Sequence, residues 1–435
     1  MAHAQITKVG SFTLRHALVL ASGIIFCLGP CALVYNSWAI FVVPVSSDLG
    51  VASSQFTFFI TVIYLISALT APFAGNLMEK IDLRIVTTVA VVCIAAGIFG
   101  CTLWTEIWQF YLSGLFEGIG VCTLNFVGVP TLINRWFEAK TGFFVGLCYA
   151  MSGIGGALWS MVGGLIIQAS SWREAYLVFA VLVLVIALPA TLFFVRSYPH
   201  QSGLMPYGAA EGEKWEPEDG NAADAKGKQW GVSARTMFRS SAFYTLMLTM
   251  GIFNALTVVG NLFASYIYHL GDLGVGGITP ESAIMLASGV AACLMIVSAG
   301  SKVMLGAVTD KSMVGAMVIA CGCGFVGILC IWLGAATTAL IYVGGCLGGV
   351  LYAAVDAMGA AMTRQLVGPR DYTVIYSRVA VFVNLAGAVS ATAFAAVADI
   401  SWDAEWIMAL ALIALTLVLG LATVKLGKNL TQTYE

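Results

Sequence analysis

The sequence predicts an all-α membrane protein: twelve transmembrane helices in two six-helix bundles, with both termini cytoplasmic. Three observations predict it: the composition, the lengths of the apolar stretches, and the side on which the basic residues fall. Of 435 residues, 60% are hydrophobic and 10% are charged. Soluble proteins carry about 25% charged residues. A chain this apolar cannot clothe itself in polar surface, whereas lipid solvates apolar surface directly.

A helix needs roughly 20 mostly apolar residues to cross a bilayer. Twelve such stretches run at about 17–45, 54–78, 85–104, 108–133, 141–168, 175–196, 241–268, 282–308, 313–335, 337–363, 373–397 and 406–426. The first follows Lys8 and Arg15, as in a signal peptide. It is too long for an h-region and lacks a small-residue cleavage site, so it reads as span one. Ser170-Ser171-Trp172-Arg173-Glu174 is the polar turn between spans five and six. Spans nine and ten are divided only by small residues near 334–338. After span six the composition changes. Residues 198–240 are rich in Gly, Pro, Glu, Asp and Lys and poor in large aliphatics, so they cannot bury a core and read as a cytoplasmic linker. The chain divides into a bundle over 1–197, the linker, and a bundle over 241–435.

With the N-terminus inside, 17 of the 20 basic residues fall on the cytoplasmic side. Arg173 falls outside, and Lys302 and Arg378 fall within spans. This excess selects N-in and C-in, in the cell membrane. An internal repeat supports the six-plus-six division. Span two ends Gly75-Asn-Leu-Met-Glu79-Lys80 and span eight ends Gly306-Ala-Val-Thr-Asp310-Lys311. Both read glycine, three residues, acid, lysine, at the same place in each half, the organisation of many secondary transporters.

Other function classes fall away. With 20 basic and 22 acidic residues there is no basic surface for nucleic acid. The 11 cysteines all lie within spans, without histidines at zinc spacing, and read as small packing residues. No nucleotide-binding motif, metal constellation or nucleophile–base pattern occurs. Neither an enzyme nor a cofactor is expected, and the driving energy has to come from a gradient.

A charge deep in a bilayer costs at least about 2.5–3.5 kcal/mol, so it needs a partner, a wet cavity or a ligand. Four residues qualify: Lys302 in span eight, Arg378 in span eleven, Glu117 in span four and Asp356 in span ten. The two cations could hold a carboxylate through charge-assisted hydrogen bonds. They could equally snorkel to the interface, or be neutralised by Asp356 and Glu117 in a structural network. The two acids are candidates for proton coupling, because a buried carboxyl can exchange protons near neutral pH, or are hydrogen-bonded packing acids. Tyr35 and Trp38 mid-span in helix one, Asn125 in helix four and Tyr149 in helix five could shape a pocket or serve as interhelical glue.

These residues resemble the major facilitator superfamily. Gly75-Asn-Leu-Met-Glu-Lys-Ile-Asp-Leu-Arg84 is similar to its signature between spans two and three, with Glu79 in place of the aspartate and Asp82 in place of the second glycine. Tyr35-Asn-Ser-Trp38 with Phe41 and Pro44, the run Arg135-Trp136-Phe137 with Lys140 and Gly142, and Gly203-Leu-Met-Pro-Tyr-Gly208 resemble the oxalate–formate antiporter and monocarboxylate transporter branch. That resemblance implies a carboxylate-binding cation four residues before the span-eight glycine, here Lys302, and a second after a Tyr-Ser pair in span eleven, here Arg378. The two cation types are exchanged relative to the branch, and a guanidinium fork and an ammonium recognise carboxylates differently.

The expected function is secondary transport of a small organic anion, a mono- or dicarboxylate, by alternating access. Transport would be antiport against a counter-anion or symport with protons. Lys302 and Arg378 would bind the anion, and Tyr35, Trp38, Asn125 and Tyr149 would shape the pocket. Gly75, Glu79, Lys80 and Arg84 with Gly306, Asp310 and Lys311 would form a cytoplasmic gate. The expected partners are the anion and the bilayer, and the chain is expected to act as a monomer. An exporter of amphipathic drugs and a non-transporting sensor of carboxylates remain the alternatives.

Overall fold

The computed structural model describes residues 11–209 and 231–432. Residues 210–230 of the expected linker, with Lys214, Lys226 and Lys228, lie outside the described residues, as do Lys8 and the side chain of Lys428. Among the described residues, twelve helices are long and apolar enough to cross a membrane: α1 (Leu14–Asn36), α2 (Gln55–Lys80), α3 (Leu83–Leu103), α4 (Ile107–Trp136), α5 (Thr141–Ala169), α6 (Trp172–Phe194), α7 (Ser241–Leu273), α8 (Met285–Lys311), α9 (Met313–Leu333), α10 (Thr338–Val367), α11 (Tyr372–Ser390) and α12 (Trp402–Gly427). They match the twelve expected spans in order.

Short polar residues start these helices by accepting hydrogen bonds from first-turn amides. Asp82 Oδ1 accepts from Arg84 N at 2.9 Å before α3, and Ser312 Oγ accepts from Gly315 N at 3.0 Å before α9. Gly274, at φ +66°, ends α7 in the left-handed conformation that a glycine adopts without strain.

Span one departs from its expected bounds. The helix stops at Asn36, a single 3₁₀ turn runs over Trp38–Phe41, and a separate helix covers Val42–Leu49. Trp38 is therefore beyond the helix end rather than mid-span, and Tyr35 is in its last turn. Earlier in α1, Pro30 lies in a wide π-helical turn over Cys27–Cys31. A proline lacks the N–H that would close the ordinary ladder.

α1 to α6 pack chiefly among themselves, as do α7 to α12. Two helix pairs carry the main contacts between these sets, α5 with α8 and α2 with α11. By order along the chain, α2 and α8 are the second, and α5 and α11 the fifth, of each set of six. Gly142 and Gly306 lie backbone against backbone in the first pair; in the second, a Cβ on Gly75 would stand 2.5 Å from Ser377 Cβ. Small residues let helices approach this closely in lipid.

Two short segments strap the ends of α4 and α10. After α6, Tyr207 N donates to Trp136 O at 2.9 Å, and Tyr207 O accepts from Glu138 N at 2.9 Å and Ala139 N at 3.1 Å. Gly208, at φ +87°, makes this possible, because a side chain there would strike Ala139. On the other side, Val232 N donates to Val367 O at 2.9 Å and Ala234 N to Asp371 Oδ2 at 2.8 Å. The two ends of the linker are thus pinned to corresponding loops, the one entering α5 and the one entering α11.

Candidate functional site

At the centre, Lys302 on α8 is 5% exposed. Its ammonium stands 2.8 Å from Asp356 Oδ2 on α10. It also donates to Tyr149 O at 3.4 Å and Ser152 Oγ at 3.3 Å, both on α5. An ammonium has three N–H donors, so all three are engaged, two of them across the contact between α5 and α8. Gly146 lets α5 come this close, because a Cβ there would strike Lys302 O.

Asp356 is the charged side chain that faces the adjoining cavity, and it is the only one lining that cavity among the described residues. Its side chain is 28% exposed, against 6% for that of Lys302. The cavity lies between Phe126, Tyr149, Asn254, Asp356, Tyr376 and Val383. Asn254 Nδ2 already donates to Val383 O at 2.7 Å.

Local chain chemistry positions Tyr149 and Asn125. α4 widens into a π-helical turn over Cys122–Gly128, just before Pro130. The proline has no N–H to return to the preceding turn, so carbonyls there are left for other donors. Tyr149 O–H takes that of Asn125 at 3.1 Å. The Asn125 side chain faces α1, where its Oδ1 accepts from Cys27 Sγ at 3.4 Å. Tyr35 packs its ring 5.6 Å from that of Phe126, a wall of the cavity, and its hydroxyl lies 3.2 Å from Ser67 Oγ. Of the three, Tyr149 lines the cavity and meets Lys302, whereas Asn125 reaches it through Tyr149 and Tyr35 through Phe126.

Three expected residues are elsewhere. Arg378 does not line the cavity: on α11 that wall is made by Tyr376, Val379, Ala380 and Val383. Two residues beyond Tyr376 is about 200° around a helix, so Arg378 turns away from it. Trp38 and Glu117 share a second cavity, among α1, α2, α3, α4 and α6, with no contact to Lys302. Glu117 therefore does not neutralise Lys302; Asp356 does.

The residues expected to form a gate lie where α5 begins and α8 ends, and their partners there are main-chain amides and Arg135. Asp310 Oδ1 accepts from Gly142 N at 2.7 Å, and Asp310 Oδ2 from Phe143 N at 3.0 Å. It caps α5 across the interface, where the helix dipole favours a negative charge. Glu79 pairs with Arg135 at 3.3 Å, and Arg135 also donates to Met78 O at 3.0 Å. Arg364 Nη1 donates to Asn134 O at 2.7 Å, joining α10 to α4. Lys80 and Lys311 are exposed. The Arg84 amide serves the Asp82 cap and its Nε has no hydrogen-bond partner.

Sequence reasoning missed Glu405. It lies in the first turn of α12, fully buried, with neither carboxylate oxygen hydrogen-bonded. An acid beside Trp402 and Trp406 was the available signal, hidden because the span was expected to begin at residue 406.

The model of the Major Facilitator Superfamily matches residues 24–340. Among curated proteins, the riboflavin transporter RibZ of Clostridioides difficile is 22% identical over 134 residues, covering 31% of this chain and 29% of that protein. A putative glycerol-3-phosphate transporter 1 of Arabidopsis thaliana is 28% identical over 126 residues, covering 27% and 23%. The chain thus spans less than a third of the length of these relatives. Among solved structures, the human organic anion transporter MFSD10 (TETRAN) superposes with a TM-score of 0.66 at 14% identity, covering 93% of this chain and 99% of that one. The fucose:proton symporter FucP of Escherichia coli gives 0.64 at 14% identity, covering 94% and 98%. At that identity the likeness is one of fold.

Proposed function

The chain belongs to the Major Facilitator Superfamily, a multi-pass membrane transporter and not an enzyme, and from that premise we propose that it carries small organic anions with protons by alternating access. Residues 1–197 and 241–435 act as two six-helix bundles joined by the linker 198–240. The basic end faces the cytoplasm of a cell membrane, following the positive-inside rule, and the sealed contacts at Asp310 and Gly306 form the cytoplasmic gate.

The observation that carries this reading is the buried Lys302–Asp356 pair, bound at once to α8, α10 and α5. A substrate carboxylate displaces Asp356 from the ammonium, and Asp356 takes a proton. The site begins neutral as an ion pair. It ends neutral as a lysine–substrate pair beside a protonated acid, so no uncompensated charge is left in a low dielectric. That balance favours symport over exchange against a counter-anion. With Arg378 turned from the cavity, one cation serves the site, which favours a single carboxylate over two.

Uptake of radiolabelled carboxylates into proteoliposomes tests the reading. Inward flux driven by an acidic exterior is expected, abolished in Lys302→Ala and no longer proton-driven in Asp356→Asn. Flux unchanged in Lys302→Ala would overturn the site. A second reading has one observation in its favour: the charged side chain facing the cavity is the acid, amid aromatic and aliphatic walls. That arrangement also suits export of amphipathic cations, and flux of such compounds without any carboxylate flux would select it.

A further inference from the structure

Three arginines meet at one corner of the first six helices, where α1 and α3 begin and α6 ends. Arg15, in the first turn of α1, donates from Nη1 to Phe193 O at 3.1 Å, in the last turn of α6. Arg196, just past that helix, donates from Nη1 to Leu192 O at 3.4 Å and Val195 O at 2.7 Å, so it folds back on the same turn. Ser197 brings Arg84 to this corner. Its Oγ accepts from Leu83 N at 2.7 Å and donates to Asp82 Oδ1 at 3.0 Å, which fastens the start of α3 beside Arg196. The charges are close enough to act on one another. Burial, then the like charges of Arg15 and Arg84, hold the Arg196 guanidinium below its ordinary pKa, while Asp82 pulls the other way.

Three guanidinium groups thus share one carboxylate. Among the described residues none of the three forms an ion pair. Asp82 Oδ1 is already engaged by the Arg84 amide and by Ser197. The Nε atoms of Arg15 and Arg84 are buried and have no hydrogen-bond partner. A cation that only marked the basic end of the chain would carry its head into water and leave no donor buried. The rim of the corner is apolar: Leu14, Ile81, Ile85, Leu192 and Phe193 are all exposed. On a membrane-spanning chain such residues suit acyl chains.

We propose that this corner binds the phosphate headgroup of an anionic phospholipid from the adjoining leaflet. Guanidinium forks match phosphate oxygens two at a time, and the orphaned Nε groups gain acceptors. The acyl chains cover Leu14, Ile85 and Phe193. Charge selects the lipid: three cations and one acid leave a net positive corner, which a zwitterionic headgroup answers less well because it brings its own ammonium. Free inorganic phosphate would satisfy the guanidinium groups but leave the apolar rim bare, so the lipid is chosen. The corner shares no residue with the cavity beside Lys302 and Asp356, so it stands whether or not carboxylates are the cargo.

Native mass spectrometry of the full-length protein released from detergent micelles tests the proposal. The probe is palmitoyl-oleoyl phosphatidylglycerol, and phosphatidylcholine with the same chains is the comparison. One phosphatidylglycerol is expected to bind about tenfold more tightly than phosphatidylcholine, and Arg15→Gln or Arg196→Gln should each weaken it by about as much. Arg84→Lys keeps the charge but loses the fork, and should weaken binding less than Arg84→Gln. Lys425→Gln removes an exposed cation at the same end of the helices and should leave binding unchanged. Each variant is first matched to the parent in melting temperature, so that lost binding reports the site and not the fold. Equal affinity for the two lipids overturns the proposal, as does affinity indifferent to Arg15→Gln and Arg196→Gln. A loss in Lys425→Gln as large as in Arg196→Gln overturns it too, by reducing the corner to the general attraction of basic residues for an anionic surface. Displacement of the lipid by an equal concentration of inorganic phosphate overturns the choice of a lipid and leaves a site for the free anion.

Discussion

Gly142 and Gly306 face each other with no side chain between them: a Cβ on either would strike the carbonyl oxygen of the other. The seal between α5 and α8 therefore depends on two absent methyl groups.

Gly306→Ala is expected to disfavour the sealed arrangement by about 1–3 kcal/mol, the range for overpacking a close contact. Lys80 and Lys311 are exposed at the same end and suit spin labels after replacement by cysteine. Their distance distribution should shift outward in Gly306→Ala. An unchanged distribution would show that the two backbones have slack.

Asp310→Ala removes the acceptor of both the Gly142 and Phe143 amides. Losing a cap of this kind costs about 0.5–2 kcal/mol. The same label pair should report opening, and Asp310→Asn should open it less, because the amide keeps one oxygen. Equal effects of the two variants would assign the cap's strength to charge alone.

Lys302→Ala leaves Asp356 next to a low-dielectric interior without its partner. Breaking a buried pair from one side costs about 3–5 kcal/mol, and the partial exposure of Asp356 puts this case toward the lower end. Adding Asp356→Asn to Lys302→Ala should recover most of the melting temperature while transport stays lost. Failure to recover would mean that Tyr149 and Ser152 are the partners that matter for stability.

Glu405→Leu is expected to raise the melting temperature. The native acid leaves two buried oxygens unanswered, and an unsatisfied buried polar group costs about 1–3 kcal/mol. A lower melting temperature would reveal a favourable interaction of Glu405 with the start of α12.

The twelve helices were legible in the sequence because crossing a bilayer demands length and apolarity, and both can be counted along a chain. The charges that need an explanation were legible for the same reason. Which of them meet was not. Asp356 rather than Glu117 answers Lys302 because of how α4 and α10 are rotated, and Arg378 misses the cavity by a rotation of two residues. Neither rotation leaves a trace in apolar stretches that are apolar on every side. Asp310 was recognised as part of a gate, but its partners are main-chain amides of another helix, and these carry no residue signature. The break at Ser37 was hidden because Trp38 to Phe41 is as apolar as the helix before it.

The straps at Tyr207 and Val232 have a consequence for how the polypeptide can be made. Each holds its own end of the connecting stretch by main-chain hydrogen bonds to a neighbouring loop, so neither depends on the stretch being continuous. A gene divided between codons 210 and 230 would yield two polypeptides that keep both anchors. Co-expressed, they should reassemble into a working carrier.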